Sequence, residues 1–485
     1  MAIFKRNALK HRDNERTGAA ELTLRKSLYP LGLVTILFFL WGFSYGLLDT
    51  LNKHFQVSLN ITRTRSSGLQ AAYFGAYPLA SLGHANWILR HYGYKACFIW
   101  GLCLYGIGSL IAWPCLLKRS FGGFCASIFI IGNGLGSLET AANPYLTVCG
   151  PPRYAEIRIN VAQAFNGIGT VVAPVLGSYV FFKNLDDDAA DNMQNVQWTY
   201  LAIAIFVFLL AGVFYLSPIP EITDADMAFQ ASETHAGTDV KPFHKQYRLF
   251  HAAFAQFCYT GAQVAIAGAF INYVTETRPN TSPSDGARFL AGAQGVFAFG
   301  RFVGSGVMKF VRPRWVFLAF ISMCIIFICP SITQRGNIGM SMLYIVLFFE
   351  SIIFPTIVAL GMRGLGKYSK KGSGYIVGGV CGGAVVPPLL FAASDSQGQP
   401  NMATGHAPTA LAMTVPLAFF IAAATYAVAV NFVPAYRDVA DKFGDAEIGI
   451  VKTGVRDEEN GAGGVMEDAK GGERQVEKAE VAGEK

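Results

Sequence analysis

Two carboxylic acids occur at matching positions within apolar stretches of this chain. Glu139 stands in GSLETAANPYLTV and Glu350 stands in FFESIIFPTIVAL. Each acid is followed by a hydroxyl residue and, five positions after the acid, by a proline, Pro144 or Pro355. The acids and the prolines have the same separation, because 350 − 139 and 355 − 144 are both 211. The repeat indicates two related halves, and acids at membrane depth tend to mark an ion or substrate pathway because they are costly there.

A third acid, Asp49, lies near the end of the first apolar stretch and follows a long run of apolar and small residues. No Lys or Arg lies deep in the first, fourth or fifth apolar stretch to pair with Asp49 or Glu139. Low-dielectric surroundings favour the neutral form of a carboxyl, which can then hold a proton near neutral pH. These two acids are therefore candidate proton carriers, and Glu350 is a candidate second-half acid. The alternative for each is a structural acid paired with a helix end or a buried cation.

Neutral amides form a second set of candidates. Gln163 and Asn166 are three residues apart, so they share one face of a helix. Amides facing lipid without partners are costly, so they should face a cavity or another helix. A further polar row follows in a later apolar stretch and consists of Gln256, Tyr259, Gln263 and Asn272. Because an amide presents donors and an acceptor to hydroxyl groups, both sets suit a sugar, with hydrogen bonding between helices as the alternative.

The composition indicates which elements position these residues. Apolar residues make up 52% of the chain and charged residues only 15%, against ~25% charge in soluble domains. A bilayer-spanning helix needs ~20 mainly apolar residues. Twelve stretches meet this need, at 29–52, 67–89, 96–117, 121–147, 157–182, 198–216, 249–274, 287–308, 314–333, 338–362, 373–394 and 409–433. The sequence predicts an all-α polytopic membrane protein with twelve transmembrane helices in two six-helix halves.

Polar segments divide the chain into five parts. The predicted parts are a tail 1–28, a first half 29–216, a linker 217–247, a second half 248–434 and a tail 435–485 expected to be disordered. Lys and Arg residues are frequent in the first tail and in the loops after spans eight and ten. Because cytoplasmic segments carry an excess of these cations, both tails and the linker are predicted to be cytoplasmic. The run from Arg301 to Arg314 is interpreted as a helix end followed by a basic turn, and Lys53 as a cation of an outer loop. Glycosylation sequons at Asn60 and Asn280 fall in predicted outer loops.

Other classes of protein are disfavoured. The net charge of +7 comes from cations in tails and loops, without the basic stripe of a nucleic-acid-binding protein. The nine cysteines lie in or beside apolar segments, without Cys-x-x-Cys or zinc-ligand spacing. No motif pairs a nucleophile with a base. We therefore expect neither an enzyme nor a metal or other cofactor, with a proton as the coupling ion.

Several strings resemble the fucose:proton symporter family of the major facilitator superfamily. They are LFFLWGFSYGLLDTLNKHFQ, GSLETAANPYLTVCGP, RINVAQAFNGIGTVVAPVLG, AQFCYTGAQVAIAGAFINYV and GSGYIVGGVCGGAVVPPLL. The resemblance extends over all twelve predicted spans and leaves out the tails and the linker. It implies that Asp49 and Glu139 carry the transported proton and that Gln163 and Asn166 lie in the substrate cavity. Asn143, in the same ETAANP run as Glu139, joins the candidate substrate-binding residues.

One departure from the family bears on the substrate. Family members often carry asparagines just before the first-span acid, where this chain has Gly46, Leu47 and Leu48. The resemblance gives no role to Glu350. We expect a monomeric plasma-membrane symporter, surrounded by lipid, that carries a monosaccharide such as L-fucose or a related hexose or pentose by alternating access. A facilitative glucose/galactose carrier without proton coupling and a non-transporting sugar sensor stay open as alternatives.

Overall fold

The computed structural model describes residues 17, 22, 24–149, 155–176, 189–223, 225–226, 242–308, 310–363, 365, 368–401 and 404–436. Most of the predicted linker, nearly all of both tails and the last part of predicted span five lie outside this range. Within it the regular secondary structure is helical, apart from one isolated antiparallel bridge between Asn401 and His406.

The first half contains six helical spans, numbered as the predicted spans are. Five are single helices: α1 Leu24–Ser58, α3 Tyr94–Leu117, α4 Phe121–Val148, α5 Ala155–Leu176 and α6 Ala189–Leu216. The helix α2 consists of three consecutive pieces, Gly68–Gly75, Leu79–His84 and Ala85–Tyr92, preceded by a helical turn Arg63–Ser66.

The second half repeats this arrangement. Three spans are single helices: α7 Tyr247–Thr277, α8 Pro283–Val307 and α9 Pro313–Thr333. The helix α10 is divided into Gly336–Glu350 and Ile353–Met362, and α12 into Pro408–Ala412 and Thr414–Phe432. The helix α11 comprises Ser369–Gly378, a 3₁₀ turn Gly379–Cys381 and Gly382–Ser396.

Local sequence fixes several of these boundaries. Ser282 and Asp285 form a capping box at the start of α8, with Pro283 in the first turn, where its missing N–H costs no helical hydrogen bond. Ser120 accepts a hydrogen bond from the Gly123 N–H at the start of α4. Gly93 separates α2 from α3 with a φ of 88°, a conformation that residues with a side chain rarely adopt.

In the described part of the chain, nine helices are by themselves long and apolar enough to cross a membrane. The other three predicted spans are present as α2, α5 and α8. They are less regular or less apolar: α2 is in pieces, the strongly apolar part of α5 is limited to Val161–Leu176, and α8 contains Arg301. The prediction of an all-α, twelve-span fold is confirmed.

The same helix pairs pack in both halves. In the first half α1 packs on α5, α3 packs on α4 and α6, and α2 packs on α4; in the second half α7 packs on α11, α9 on α10 and α12, and α8 on α10. Every pair of the second half therefore corresponds to a pair of the first, six helices later. The main contacts between the halves are α5 with α8 and α2 with α11. These two contacts are also equivalent, because α5 corresponds to α11 and α2 corresponds to α8. This is the packing expected of two related halves.

Candidate functional site

A cavity lies between the two halves. Its wall combines aromatic rings with a few polar side chains from both halves. The wall residues are Trp41, Tyr45, Phe74, Gln163, Asn166, Thr170, Thr260, Gln263, Val264, Phe297, Arg301, Phe354 and Val380. A mostly apolar wall with a few polar groups is the usual make-up of a small-molecule site.

Arg301 of α8 joins the two halves across this cavity. Its Nη1 donates hydrogen bonds to Gln163 Oε1 at 2.9 Å and to Asn166 Oδ1 at 3.0 Å, and it also contacts the Gln163 carbonyl oxygen. Its Nε donates to the carbonyl oxygen of Ser351 at 3.2 Å. The side chain is 5% exposed and lies over the Phe297 ring. Among the described residues, it forms no ion pair with a carboxylate, so its charge is balanced only by amide and carbonyl dipoles.

The structure brings some of the predicted binding residues together and separates others. Gln163, Asn166 and Gln263 are part of the cavity wall. The Gln163 Nε2 atom is buried and has no hydrogen-bond partner, so it is available to a ligand. Gln256 and Tyr259 are not wall residues, although they were predicted to share a face with Gln263.

Some polar atoms of these other residues bond within the protein, whereas Gln256 Oε1, Asn272 Nδ2 and Asn143 Nδ2 are buried without a hydrogen-bond partner. The Gln256 amide donates to Thr260 at 3.3 Å, and the Tyr259 hydroxyl donates to the Glu350 carbonyl oxygen at 2.6 Å. Asn272 accepts a hydrogen bond from Lys53 Nζ at 2.7 Å. Asn143 lies beside Glu139, outside the cavity wall.

The three predicted acids are buried. Asp49 is 1% exposed, Glu139 is 3% exposed and Glu350 is 1% exposed. Both carboxyl oxygens of Asp49 and of Glu139, and Oε1 of Glu350, make no hydrogen bond of ordinary geometry. In the described part of the chain none of the three forms an ion pair. Since a buried charge without a partner is costly, these carboxyls are suited to bind and release protons as their surroundings change.

Aromatic side chains separate the acids from the cavity. Tyr45, a wall residue, lies beside Asp49 on α1, one helical turn away. Tyr77 lies near both Glu139 and the wall residue Trp41. The acids themselves do not line the cavity. A ligand in the cavity would therefore affect the acids through these rings rather than by direct contact.

Two further contacts join the halves near the C-terminal ends of α1 and α7. Arg63 contacts Glu276 at 3.0 Å, and Glu276 also accepts hydrogen bonds from the Thr409 hydroxyl and N–H. Asp395 accepts hydrogen bonds from the Thr64 N–H and hydroxyl at 2.9 and 2.7 Å. We call this group of contacts the Arg63 end; by the charge prediction it is the outer side.

Lys53 belongs to this side as well. The prediction that it lies in a loop is wrong, because α1 continues to Ser58 and includes it. On the opposite side of the cavity the Ser373 hydroxyl donates to the Thr140 carbonyl oxygen at 3.1 Å, again between halves. We call this the Thr140 end. The halves thus touch on both sides of the cavity.

Sequence reasoning missed Arg301 as a site residue. The predicted span 287–308 includes Arg301, but the residue was interpreted only as part of the helix end before a basic turn and was given no place in the site. The signal was a single cation flanked by FAFG and FVGSG. An ionisable residue within a span is a candidate functional residue by default, because it is costly there.

The two sequon asparagines occupy equivalent turns. Asn60 follows α1 with a φ of 47°, and Asn280 follows α7 with a φ of 55°. Both are exposed. Asn is among the residues that tolerate this left-handed conformation best, so turn geometry accounts for both residues, and their glycosylation stays a prediction.

Twelve helices in two related halves, around a central cavity with buried acids nearby, define a membrane transporter. The chain belongs to the major facilitator superfamily, whose family model matches residues 34–388. It is therefore an integral, multi-pass membrane protein of a family of transporters, in agreement with the prediction that it is not an enzyme.

Individual relatives agree with the resemblance noted in the sequence. The chain is 32% identical over 414 residues to the L-fucose-proton symporter of Escherichia coli (strain K12), covering 81% of this chain and 93% of that protein. It is also 32% identical over 376 residues to a glucose/galactose transporter of Brucella abortus, covering 76% and 89%. The predicted relationship to the fucose:proton symporter family is confirmed.

Solved structures show the same fold. The crystal structure of the transporter FucP in the outward conformation matches with a TM-score of 0.62 and 31% identity, covering 81% of this chain and 98% of that one. The proton:xylose symporter XylE matches with a TM-score of 0.63 at 11% identity, which shows likeness of fold alone.

Proposed function

We propose that this protein carries a monosaccharide, L-fucose or a related hexose or pentose, across the membrane together with a proton, by alternating access. The observation that carries the proposal is the pairing of a cavity between the halves, with amides in its wall, and two buried carboxyls nearby that form no ion pair among the described residues. Relatives named as an L-fucose-proton symporter and a glucose/galactose transporter support a sugar as cargo.

The cavity offers a sugar both polar and apolar surfaces. The free Gln163 Nε2 and the Gln263 amide provide hydrogen-bonding groups for hydroxyls. The rings of Trp41 and Phe354 meet edge to face at 5.5 Å and give an apolar surface for the C–H face of a pyranose. Arg301 holds the first-half amides on the wall, so a sugar hydroxyl that takes over one of these bonds changes a contact between the halves.

In this proposal Asp49 and Glu139 bind the transported proton. A neutral carboxyl removes the cost of a bare charge while the halves move. Proton release toward one side then favours return of the empty carrier. The coupling ion is the only cofactor that this scheme needs. We further propose that the protein acts as a monomer in the plasma membrane with both termini cytoplasmic.

Uptake into proteoliposomes tests the proposal. Purified protein is reconstituted, an inward proton gradient is imposed, and labelled L-fucose, D-glucose, D-galactose and D-xylose are offered in turn while external pH is recorded. We expect one of these sugars to accumulate, with alkalinisation outside that depends on that sugar. A protonophore should abolish accumulation and leave counterflow intact.

Other results identify the alternatives. Entry that stops at equal concentrations, without a sugar-dependent pH change, would assign a facilitative carrier, an outcome to which the glucose/galactose relative gives weight. Sugar binding without counterflow of any sugar would assign a sensor. Either result overturns the proton-coupled proposal.

A further inference from the structure

Glu350 occupies the point where α10 is interrupted. The first piece of α10 ends at Glu350 and the second begins at Ile353. The residue is buried, and its Oε1 has no hydrogen-bond partner. It is also the repeat partner of Glu139, 211 residues later. The second half therefore carries a buried acid at the position where the first half carries a proposed proton site.

Among the residues that the structure describes, no cation pairs with Glu350. From α7, Tyr259 faces it and donates its hydroxyl hydrogen to the Glu350 carbonyl oxygen at 2.6 Å. From α9, Cys324 lies within electrostatic range, with its thiol bonded to the Val346 carbonyl oxygen. From α8, Arg301 binds the neighbouring Ser351 carbonyl oxygen and forms no ion pair with Glu350.

The fourth neighbour comes from the other half. The rings of Trp41 on α1 and Phe354 on α10 are 5.5 Å apart, and Tyr45 and Glu350 each lie one helical turn from this contact. Tyr45 is also within electrostatic range of both Asp49 and Glu350. Its hydroxyl is buried and makes no hydrogen bond of ordinary geometry. Tyr45 is also a wall residue of the cavity. One buried phenol of the cavity wall thus lies beside Asp49 and close to the α1–α10 contact that Glu350 adjoins.

The position at a helix C-terminus is relevant to proton binding. Carbonyl groups of a last helical turn carry partial negative charge, which disfavours a carboxylate and favours a neutral acid. A structural acid at such a place is normally paired or capped, and the Glu350 carboxyl is neither in the described part of the chain. A group that exchanges a proton fits these surroundings better.

We propose that Glu350 is a third proton-binding carboxyl, which shares a proton with Asp49 by way of the Tyr45 hydroxyl. The inference rests on the proposed proton-coupled function. In the transfer, the Asp49 carboxyl gives its proton to the Tyr45 oxygen while the phenolic hydrogen passes to the Glu350 carboxylate, directly or through one water. One O–H bond breaks at Asp49 and one forms at Glu350, and no other reactant is needed. The protonation of Asp49 in the first half is thereby linked to that of Glu350 in the second half.

Infrared pH titration of the purified protein tests this assignment, because a protonated carboxyl has its own C=O stretching band. Subtracting the titration of Glu350→Gln from that of the parent should leave one titrating band. Glu350→Asp, which retains an acid, should retain such a band. Asp49→Asn should move the midpoint of the Glu350 band by about one pH unit or more, as for strongly coupled groups.

A double-mutant cycle tests the role of the tyrosine. In a Tyr45→Phe background, Asp49→Asn should move the Glu350 band by clearly less than in the parent, because the shared hydroxyl is absent. Tyr273→Phe is the matched control: this buried phenol donates to the Ser331 carbonyl oxygen, and its loss should leave the coupling unchanged.

Two results would overturn the inference. If the parent and Glu350→Gln differ by no titrating band, and Glu350→Asp likewise shows none, Glu350 is a structural acid. If the band titrates but ignores both Asp49→Asn and Tyr45→Phe, the shared-proton route is wrong. Because these measurements need no transport, they are distinguishable from a failure of proton-coupled uptake in the parent.

Discussion

Single residues in this protein differ sharply in how their buried charge is balanced. Glu276 is held by Arg63 and by two hydrogen bonds from Thr409. Asp49 and Glu139 are also buried, but in the described part of the chain they form no ion pair and no hydrogen bond of ordinary geometry. Their polar neighbours are neutral side chains, Tyr45 and Gln70 beside Asp49 and Asn143 beside Glu139. A paired acid stabilises a contact, whereas an unpaired one can change its protonation without breaking any bond. This contrast is the residue-level basis for assigning the proton to Asp49 and Glu139.

For Asp49→Asn we expect loss of sugar accumulation and of sugar-induced alkalinisation, because the amide cannot bind and release a proton. Counterflow between equal sugar pools should continue. Accumulation and external pH in proteoliposomes at matched protein levels measure both. Asp49→Glu, which keeps a carboxyl, serves as the control and should retain part of the accumulation. Normal accumulation by Asp49→Asn would remove this residue from the mechanism.

Substitutions of the wall amides test the binding role. Gln163→Ala and Asn166→Ala should each weaken sugar binding by roughly tenfold or more, because loss of a hydrogen-bond partner in a closed site costs ~1–3 kcal/mol. Equilibrium binding of labelled sugar measures the change. Asn431→Ala is a useful control, since this buried amide bonds the Arg314 and Ala427 carbonyl oxygens far from the cavity wall. Parent-like affinity in both α5 variants would contradict the assignment.

At the scale of elements, sequence and structure agree best where helices are uniformly apolar. Spans such as α9 were readily predicted because hydropathy alone identifies them. The helices that meet between the halves, α2, α5 and α8, have breaks or polar residues because they border the cavity. Arg301 lies inside the predicted span 287–308, but no local pattern shows that it reaches the amides of α5 in the other half. The break of α10 after Glu350 does have a local cause, because Pro355 has no N–H to bond the Ser351 carbonyl oxygen, which accepts a hydrogen bond from Arg301 instead. The equivalent Pro144 lies within an unbroken α4, so the proline alone did not predict the break.

Close helix approach explains the glycines of α11 better than hinge bending does. A side chain at Gly382 would run into the Phe257 carbonyl group of α7, whereas a side chain at Gly212 of α6 would meet no atom within 4 Å. We expect Gly382→Ala to destabilise the protein by about 1–3 kcal/mol, as overpacking does. Gly212→Ala should be neutral. Thermal unfolding of the two purified variants gives the comparison, and equal melting temperatures would show that α7 and α11 can separate freely.

At the scale of the whole molecule, transport requires the halves to separate on one side of the cavity at a time. The Arg63 end and the Thr140 end are both closed in this structure. Polar contacts lie at each end, beside the packing of α2 and α4 against α11. Such contacts exchange with water at low net cost, because a typical hydrogen bond contributes only ~1 kcal/mol. The arrangement is suited to alternate opening.

Cross-linking tests the Arg63 end. Thr64 and Asp395 touch across the halves, with their side-chain oxygens 2.7 Å apart. In a variant without the nine native cysteines, Thr64→Cys together with Asp395→Cys should form a disulfide that abolishes counterflow, and a reductant should restore it. Each single cysteine variant, treated with the same oxidant, is the control. Full counterflow in the cross-linked protein would mean that this end need not open.

Glu139 lies next in sequence to a contact between the two halves. It precedes Thr140, whose carbonyl oxygen accepts the Ser373 hydroxyl hydrogen at the Thr140 end. A change of charge at Glu139 therefore occurs directly beside a contact that must break for the cavity to open there. A neutral Glu139 leaves this contact undisturbed, whereas a carboxylate draws water toward it. We therefore expect proton release from Glu139 to favour opening of the Thr140 end.

Glu139→Gln should imitate the permanently protonated protein. The amide keeps the size and part of the hydrogen bonding of the acid, so sugar binding and exchange between equal pools should survive. Accumulation against a gradient should fail, because no proton can be discharged, and the pH dependence of exchange should flatten. Both activities are measured at matched protein levels, with Glu139→Asp as the titratable control. A structural acid gives a different pattern: exchange and accumulation fall together, and the pH profile keeps its shape.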